Sequence, residues 1–347
     1  MSPRQTESQV AARHPRETTE LFGHREAETA LLNAYRGGRI PHAWLIGGAQ
    51  GIGKATLAYR MAKFVLAHRD PLGMDVQHAG TLRVDPSDSV ARQVGAGAHG
   101  GLLTLERTAN DKGVMRTVIT VDETRETISF FGSTAAVEGW RVCIVDTVDE
   151  LNPNAANALL KVLEEPPQRS LFLLVSHAPA RVLPTILSRC RKLLLRPLAA
   201  ADVIRAAAGA AGLSADDPAL ADAAAAAEGS VARALTLLGG DALKLQQRTA
   251  VLLAGLPRLD LRELHALGDT LGGSDRGALT AFVDSVERWV GERLRAGARD
   301  NANLPRLARL AEVWEKINRA ARDAETYNLD RKPLVFSVFG LLAEATQ

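Results

Sequence analysis

Short unbroken apolar runs alternate with helical periodicity up to Pro197, and helical periodicity alone carries the rest of the chain. The runs fall at residues 43–46 (Ala43, Trp44, Leu45, Ile46), 141–145, 171–175 and 192–195. They are too short for helices and read as strands buried on both faces. Helices are predicted over 26–35, 54–66, 122–131 with Asp122 as the cap, and 155–163. The last of these puts Leu159, Leu160 and Leu163 on one core-facing side, and Pro166 and Pro167 stop it. Strand, helix, strand in this rhythm predicts a parallel α/β sheet. Residues 68–120 are hard to read: 94–101 are rich in Gly and Ala, and 114–121 alternate weakly, as an edge strand does.

Beyond Pro197 three short helices are expected, at 201–211, 218–227 and 231–238, before Gly239 and Gly240 mark a second boundary. Longer helices follow at 279–294, 304–324 and 334–343, with Trp314, Ile317 and Ala321 forming an apolar stripe. No internal repeat or sustained heptad is present. The expected organisation is a flexible tail at 1–20, an α/β domain at 21–197, a small helical domain at 198–239 and a second helical domain at 240–347.

Of 347 residues, 46% are hydrophobic, enough for a substantial core in two or three domains, and 4% are aromatic, which disfavours an all-β chain. Lys plus Arg total 42 against 40 Asp plus Glu, a balance unlike that of a dedicated nucleic-acid binder. Cys143 and Cys190 make neither a disulfide framework nor a thiolate metal set, which fits a reducing, cytoplasmic setting. No apolar run approaches the roughly 18 residues of a membrane span, and the opening residues lack the apolar centre of a secretory signal.

Candidate chemistry begins at Gly48-Ala49-Gln50-Gly51-Ile52-Gly53-Lys54, between a predicted strand and a predicted helix. Such a loop turns backbone N–H groups toward phosphate oxygens, the helix N-terminus favours negative charge, and Lys54 reaches the terminal phosphates. The next residue is Ala55, which has no hydroxyl for Mg²⁺; Thr56 lies about 100° further around the helix. Val142-Cys143-Ile144-Val145-Asp146 reads as a strand that presents Asp146 to a metal ion or its water, but Thr147 stands where a water-activating Glu is usual. Asp149 and Glu150 read as a solvated turn leading into a helix. His68, His78 and His99 are too widely spaced for a metal site, and none is predicted.

The run from Asn154 through Leu159-Leu160-Lys161-Val162-Leu163-Glu164-Glu165-Pro166-Pro167 resembles the AAA+ clamp-loader family, and within it the delta-prime subunits of bacterial DNA polymerase III. The likeness continues through Leu171-Phe172-Leu173-Leu174-Val175-Ser176, Ser188-Arg189-Cys190 and Asn328-Leu329-Asp330-Arg331-Lys332, and covers about 21–347 except 68–120. It implies an α/β P-loop AAA+ domain, a small helical lid and a C-terminal all-helical collar. It also implies a hetero-pentamer with delta and gamma or tau subunits that loads the beta sliding clamp onto primer–template DNA. In such a subunit Arg189 of Ser-Arg-Cys reaches the ATP and Mg²⁺ held by the neighbour and acts in trans. Ser176 takes the sensor-1 position, and Gly48, Gly51, Gly53, Lys54, Thr56 and Asp146 form a vestigial or weak nucleotide site. Ala232 stands where ATP-hydrolysing relatives place a lid arginine, with Arg233 one position on. The four zinc-binding cysteines common in the family are absent. Arg181, Arg191, Lys192 and Arg196 form either a basic interface or a solvated face, and Arg309, Arg319 and Arg322 either a partner surface or solvent-exposed charge. Two alternatives stay open: an autonomous gamma-like ATPase using Lys54 and Asp146, and a DNA-binding adaptor without a trans-acting arginine. The resemblance makes the chain a component of the DNA-directed polymerase holoenzyme, and no polymerising site is visible in it.

Overall fold

The computed structural model describes residues 13–108, 116, 118–132, 139–238, 242–272, 276–297, 304–327 and 329–346. The first twelve residues of the expected tail, residues 114, 115 and 117 of the weak edge strand expected at 114–121, the Gly239–Gly240 boundary and Asn328 of the C-terminal motif lie outside them. The chain divides into two compact units, one reaching Ala232 and one beginning at Arg233.

The first unit opens with a 3-10 turn, Pro15–Glu17, whose cap is the His14 ring accepting from the Arg16 N–H at 3.2 Å. Then come α1 (Arg25–Arg36), β1 (Ala43–Gly47), α2 (Lys54–Ala67), α3 (Met74–His78), α4 (Ser89–Gly95), β2 (Leu102–Glu106), α5 (Val121–Gly132), β3 (Arg141–Asp146), α6 (Pro153–Glu164), β4 (Ser170–Ser176), α7 (Pro184–Leu187) and β5 (Arg191–Leu194). The strands form a parallel sheet in the order β2-β3-β4-β1-β5. Period-2 alternation sorts their side chains onto two faces. Trp44, Ile46, Ile144 and Leu173 join α1 and α2 on one side. Leu45, Cys143, Val145 and Phe172 join Leu159 and Leu163 of α6 on the other. Because both faces are covered, the central strands β1, β3 and β4 are apolar along most of their length and stand out as runs, whereas β2 is a half-buried edge and β5, expected to be buried on both faces, is a largely exposed edge strand of sequence Arg-Lys-Leu-Leu.

Three details differ from the sequence expectation. Residues 68–120 contribute α3, α4 and the edge strand β2, while Ile119, in the segment expected as an edge strand, makes only an isolated bridge to Leu151. Helix α5 is not capped by Asp122. Thr120 stands before it, two residues ahead of the expected cap, and the Glu123 carboxylate reaches back to accept from the Thr120 N–H at 2.6 Å and its hydroxyl at 2.9 Å, the carboxylate half of a capping box. Residues 14–19 of the expected tail lie against α2: the His14 ring meets Tyr59 edge-on, and Arg60 donates to the Thr19 carbonyl at 2.7 Å.

After β5 come α8 (Ala200–Ala211), ended by left-handed Gly212, and α9 (Pro218–Ala226), capped by Asp217. The two helices pack on each other, and the residues they bury, Val203, Ala207, Leu220 and Ala223 among them, are mostly small. Helix α10 (Val231–Leu238) straddles the division. The second unit holds α11 (Ala242–Gly255), α12 (Leu261–Gly272), α13 (Arg276–Gly297), α14 (Leu304–Thr326) and α15 (Arg331–Thr346) around Phe282, Val286, Val335 and Phe339. The stripe predicted on α14 faces this core, with Ile317 and Ala321 buried and Trp314 at its margin, while Arg309, Arg319 and Arg322 are exposed.

Candidate nucleotide and subunit-interface site

The Gly48–Lys54 loop links β1 to α2, and its glycines are there for geometric reasons. Gly51 and Gly53 have φ of 75° and 97°, values a side chain strains to adopt. Gly51 is also confined: a Cβ there would collide with Ser230 Oγ and stand 2.7 Å from Ala232 Cβ. The Val231 and Ala232 N–H groups donate to the Gly51 carbonyl at 2.9 and 3.4 Å. The start of α10 therefore rests on the tip of the loop, and Ala232, at the expected lid-arginine position, is part of that contact. On the other flank, His24 Nε2 donates to the Ile52 carbonyl at 2.7 Å.

Lys54 is 2% exposed and donates to the carbonyls of Gly48 at 2.8 Å and Ala49 at 2.5 Å, so its ammonium is folded into its own loop. Burial lowers its pKa to about 8, against the pull of Asp146 and Asp149. Thr56 is half-buried in the first turn of α2, one residue past Ala55.

Asp146 ends β3 directly across from Glu106 of β2 in the sheet register. Burial raises its pKa, and the Glu106 charge adds to this against Lys54. Nearby, Arg107 Nε meets the Glu150 carboxylate at 2.9 Å, and burial raises the pKa of Glu150. Ser176, at the end of β4, is fully buried and donates to Asp149 Oδ1 at 2.6 Å. Asp149 Oδ2 accepts from the His177 N–H and, at 3.0 Å, from the Ala178 N–H. Asp149 is thus not the solvated turn residue expected: it ties the end of β3 to the end of β4. Periodicity carries no sign of this, because the partners come from different strands. Burial lowers the His177 pKa to about 4, assisted by the Lys54 charge.

The backbone of the loop fits a phosphate cradle, with three glycines opening it and a lysine at the helix start. The metal half fits less well: position 55 offers no hydroxyl, and the Asp146 carboxylate resists ionisation beside Glu106.

Arg189 lies elsewhere, between α7 and β5. Its Nη1 donates to the Thr185 carbonyl at 2.8 Å and to Ser188 Oγ at 3.3 Å, and its Nη2 meets Glu164 Oε1 at 2.7 Å. Glu164 closes α6, a helix started by Pro153 and by Asn152 accepting from the Ala155 N–H. Both partners are accessible, the side chains being 33% and 52% exposed. Arg181, Arg191, Lys192 and Arg196 are exposed as well, and the Arg191 guanidinium lies 5.2 Å from the Trp44 ring centroid.

The three histidines at 68, 78 and 99 each have a local role. His68 packs on Phe64, His78 bonds the Met74 carbonyl and His99 accepts from the Gly101 N–H. Among the described residues no group of three His, Cys, Asp or Glu could hold a metal ion, and no helix is long and apolar enough to cross a membrane.

A parallel α/β sheet with a Gly-rich loop between its first strand and the following helix, succeeded by an extensive helical region, is consistent with an AAA+-like architecture. The model of the DNA polymerase III, delta subunit, family matches residues 23–199, just over half of the chain, and the chain belongs to that family. It is 37% identical over 156 residues to the DNA polymerase III subunit delta' of Pseudomonas aeruginosa, a match covering 44% of this chain and 43% of that protein. To the Escherichia coli subunit delta' it is 33% identical over 167 residues, covering 48% and 46%. The DNA polymerase III subunit tau/gamma of Haemophilus influenzae is 30% identical over 234 residues, 66% of this chain and 32% of that one. The chain thus spans less than half the length of these curated relatives, and it stands among the bacterial clamp-loader subunits of the delta', tau and gamma kind.

Proposed function

We propose that this chain is a delta-prime-like subunit of a bacterial clamp loader. In this reading it helps load the beta sliding clamp onto primed DNA and supplies Arg189 to the ATP site of a neighbouring subunit. The observation that carries the reading is the setting of Arg189, an accessible guanidinium whose hydrogen bonds go to Glu164, Thr185 and Ser188, none of them a group of its own P-loop. An exposed ion pair of this kind contributes about 1 kcal/mol or less, so a phosphate of higher charge can take the guanidinium from Glu164. Presented to a neighbour, Arg189 offers N–H donors to charge developing on a transferred phosphoryl group.

The chain's own loop is assigned a vestigial or weak nucleotide role through Gly48, Gly51, Gly53, Lys54, Thr56, Asp146 and Ser176. Lys54 is engaged by its own loop and Ser176 by Asp149, which supports that assignment. ATP with Mg²⁺ would supply the cleavable phosphoanhydride at the neighbouring subunits, gamma or tau. Residues 21–197, 198–239 and 240–347 are proposed to act as AAA+ domain, lid and collar in an assembly that also contains delta.

The test is reconstitution of the loader with Arg189→Ala, following assembly and clamp-stimulated ATP turnover together. Intact assembly with turnover down by about tenfold or more is expected; unchanged turnover overturns the trans role. The presence of both Lys54 and Asp146 favours one competing reading, a self-sufficient ATPase. Robust turnover by the isolated chain, abolished by Lys54→Ala, would establish that alternative.

A further inference from the structure

A cavity of about 230 Å³ lies between the turn Pro15–Glu17, helix α2 and the segment 82–95, lined by Arg16, Glu17, Arg60, Lys63, Leu82 and Val84 among others. Its volume is well beyond what a single water requires.

The three cations on its wall are not equally satisfied. Arg60 is neutralised: its Nε meets Glu28 Oε1 at 2.6 Å, and the same carboxylate accepts from the Leu82 N–H at 3.0 Å. Lys63 is 9% exposed, and its ammonium makes one long contact, 3.4 Å to the Thr18 carbonyl. An ammonium carries three donors, and a buried charge with a single weak acceptor is costly. Burial and the nearby Arg60 charge both lower the Lys63 pKa, as expected for a cation lacking a counter-charge. Arg16 Nε is buried without a hydrogen-bond partner. Its guanidinium lies against Gly97, where φ is +70° and an added Cβ would come within 3.1 Å of Nη1. The carboxylate on the wall, Glu17, is exposed.

We propose that this cavity binds a phosphate-class oxyanion between Lys63 and Arg16. The two cations come from separate elements and face a shared space, and what both lack is an acceptor bearing negative charge. A tetrahedral dianion balances two positive charges and presents oxygens to both, which a single planar carboxylate does less well. Free phosphate and the terminal phosphate of a larger molecule share this chemistry. The inference is independent of any role for Arg189.

The experiment is calorimetric titration of the full chain with inorganic phosphate at constant ionic strength, with acetate as the control anion. Saturable binding is expected for phosphate and not for acetate, weakened at least tenfold by Lys63→Met and by Arg16→Gln. Circular dichroism melts verify folding, and Lys63→Gln replaces Lys63→Met should the latter not fold. A 5′-phosphorylated oligonucleotide beside its unphosphorylated twin separates the two sources: Lys63-dependent preference for the phosphorylated strand assigns a terminal phosphate, and equal weak binding of both beside a response to inorganic phosphate assigns the free ion. No saturable phosphate binding, tighter acetate binding, or binding lost with Lys54→Ala and retained with Lys63→Met overturns the proposal.

Discussion

Replacing Asp149 tests whether the ends of β3 and β4 are joined as the geometry indicates. In the native chain one carboxylate accepts the Ser176 hydroxyl at 2.6 Å and two backbone N–H groups, those of His177 and Ala178. Hydrogen bonds to a charged group contribute about 1.5–3 kcal/mol each, and a buried donor left without an acceptor costs about 1–3 kcal/mol. Ser176 is fully buried and would bear that cost, whereas His177 and Ala178 are half-buried and water can reach part of their backbone. Asp149→Ala is therefore expected to destabilise the sheet unit by ~3 kcal/mol, well short of the sum of three separate bonds. Asp149→Asn keeps an oxygen for the two N–H groups and turns its amide toward Ser176 Oγ, so it should cost ~1 kcal/mol. The assay is guanidinium unfolding followed by tryptophan fluorescence in a Trp289→Phe, Trp314→Phe background. That background leaves Trp44 and Trp140, both in the sheet unit, as reporters and avoids forcing a two-state description on a chain of two units. A loss below ~0.5 kcal/mol for Asp149→Ala, or equal losses for Ala and Asn, would refute the assigned bonding.

Other perturbations have equally definite outcomes. Glu28→Ala strands the Arg60 guanidinium and the Leu82 N–H and should cost ~3 kcal/mol in the same assay, since removing one partner of a buried pair leaves its charge uncompensated. Gly51→Ala adds left-handed strain of about 1 kcal/mol to a collision with Ser230 and Ala232, so the sheet unit should lose at least ~2 kcal/mol in the unfolding assay. His177 has a folded pKa near 4 against an unfolded value of 6.5. Between these values the unfolded chain binds more protons, so stability is full above about pH 6.5 and falls as pH drops toward 4. His177→Gln should flatten that part of a stability–pH profile, and an unchanged slope would assign it to other groups.

How much of this was legible in the sequence depended on how local each feature is. Strands buried on both faces show as apolar runs, as β1, β3 and β4 do, and these three together with the exposed edge strand β5 fall within a residue or two of their predicted bounds. The edge strand β2 was missed because it is half-buried: Leu102, Leu103 and Thr104 lack the full burial that makes a run conspicuous. The Thr120–Glu123 pair carries a local Thr-x-x-Glu signature, which competes in the sequence with Asp122 two residues further on as a helix start. The P-loop outline was visible because glycine spacing is itself a local signal. The engagement of Lys54 by its own loop and of Ser176 by Asp149 was not, because both depend on where separate segments meet in space. The Glu164–Arg189 pair likewise joins residues that only the packing of α6 beside α7 brings together.

The same contacts bear on how the departures from an ATPase pattern relate to one another. Gly51 has no room for a Cβ because Ser230 and Ala232 occupy that space, and its carbonyl takes the N–H groups of Val231 and Ala232. The loop tip and the start of α10 therefore fit each other, and a longer side chain at position 232 would have to grow from a Cβ already set against the loop. Arginine at 232 is thus expected to open this contact as well as add a charge. The absence of a hydroxyl at Ala55, the turn of Lys54 toward Gly48 and Ala49, and the capture of Ser176 by Asp149 all sit around the same loop. Restoring one catalytic side chain, by Ala232→Arg or Ala55→Thr alone, is accordingly expected to leave ATP turnover by the isolated chain unchanged. Each change leaves the other contacts in place, and a single substitution that produced turnover would show that the loop is held far less firmly than these bonds imply.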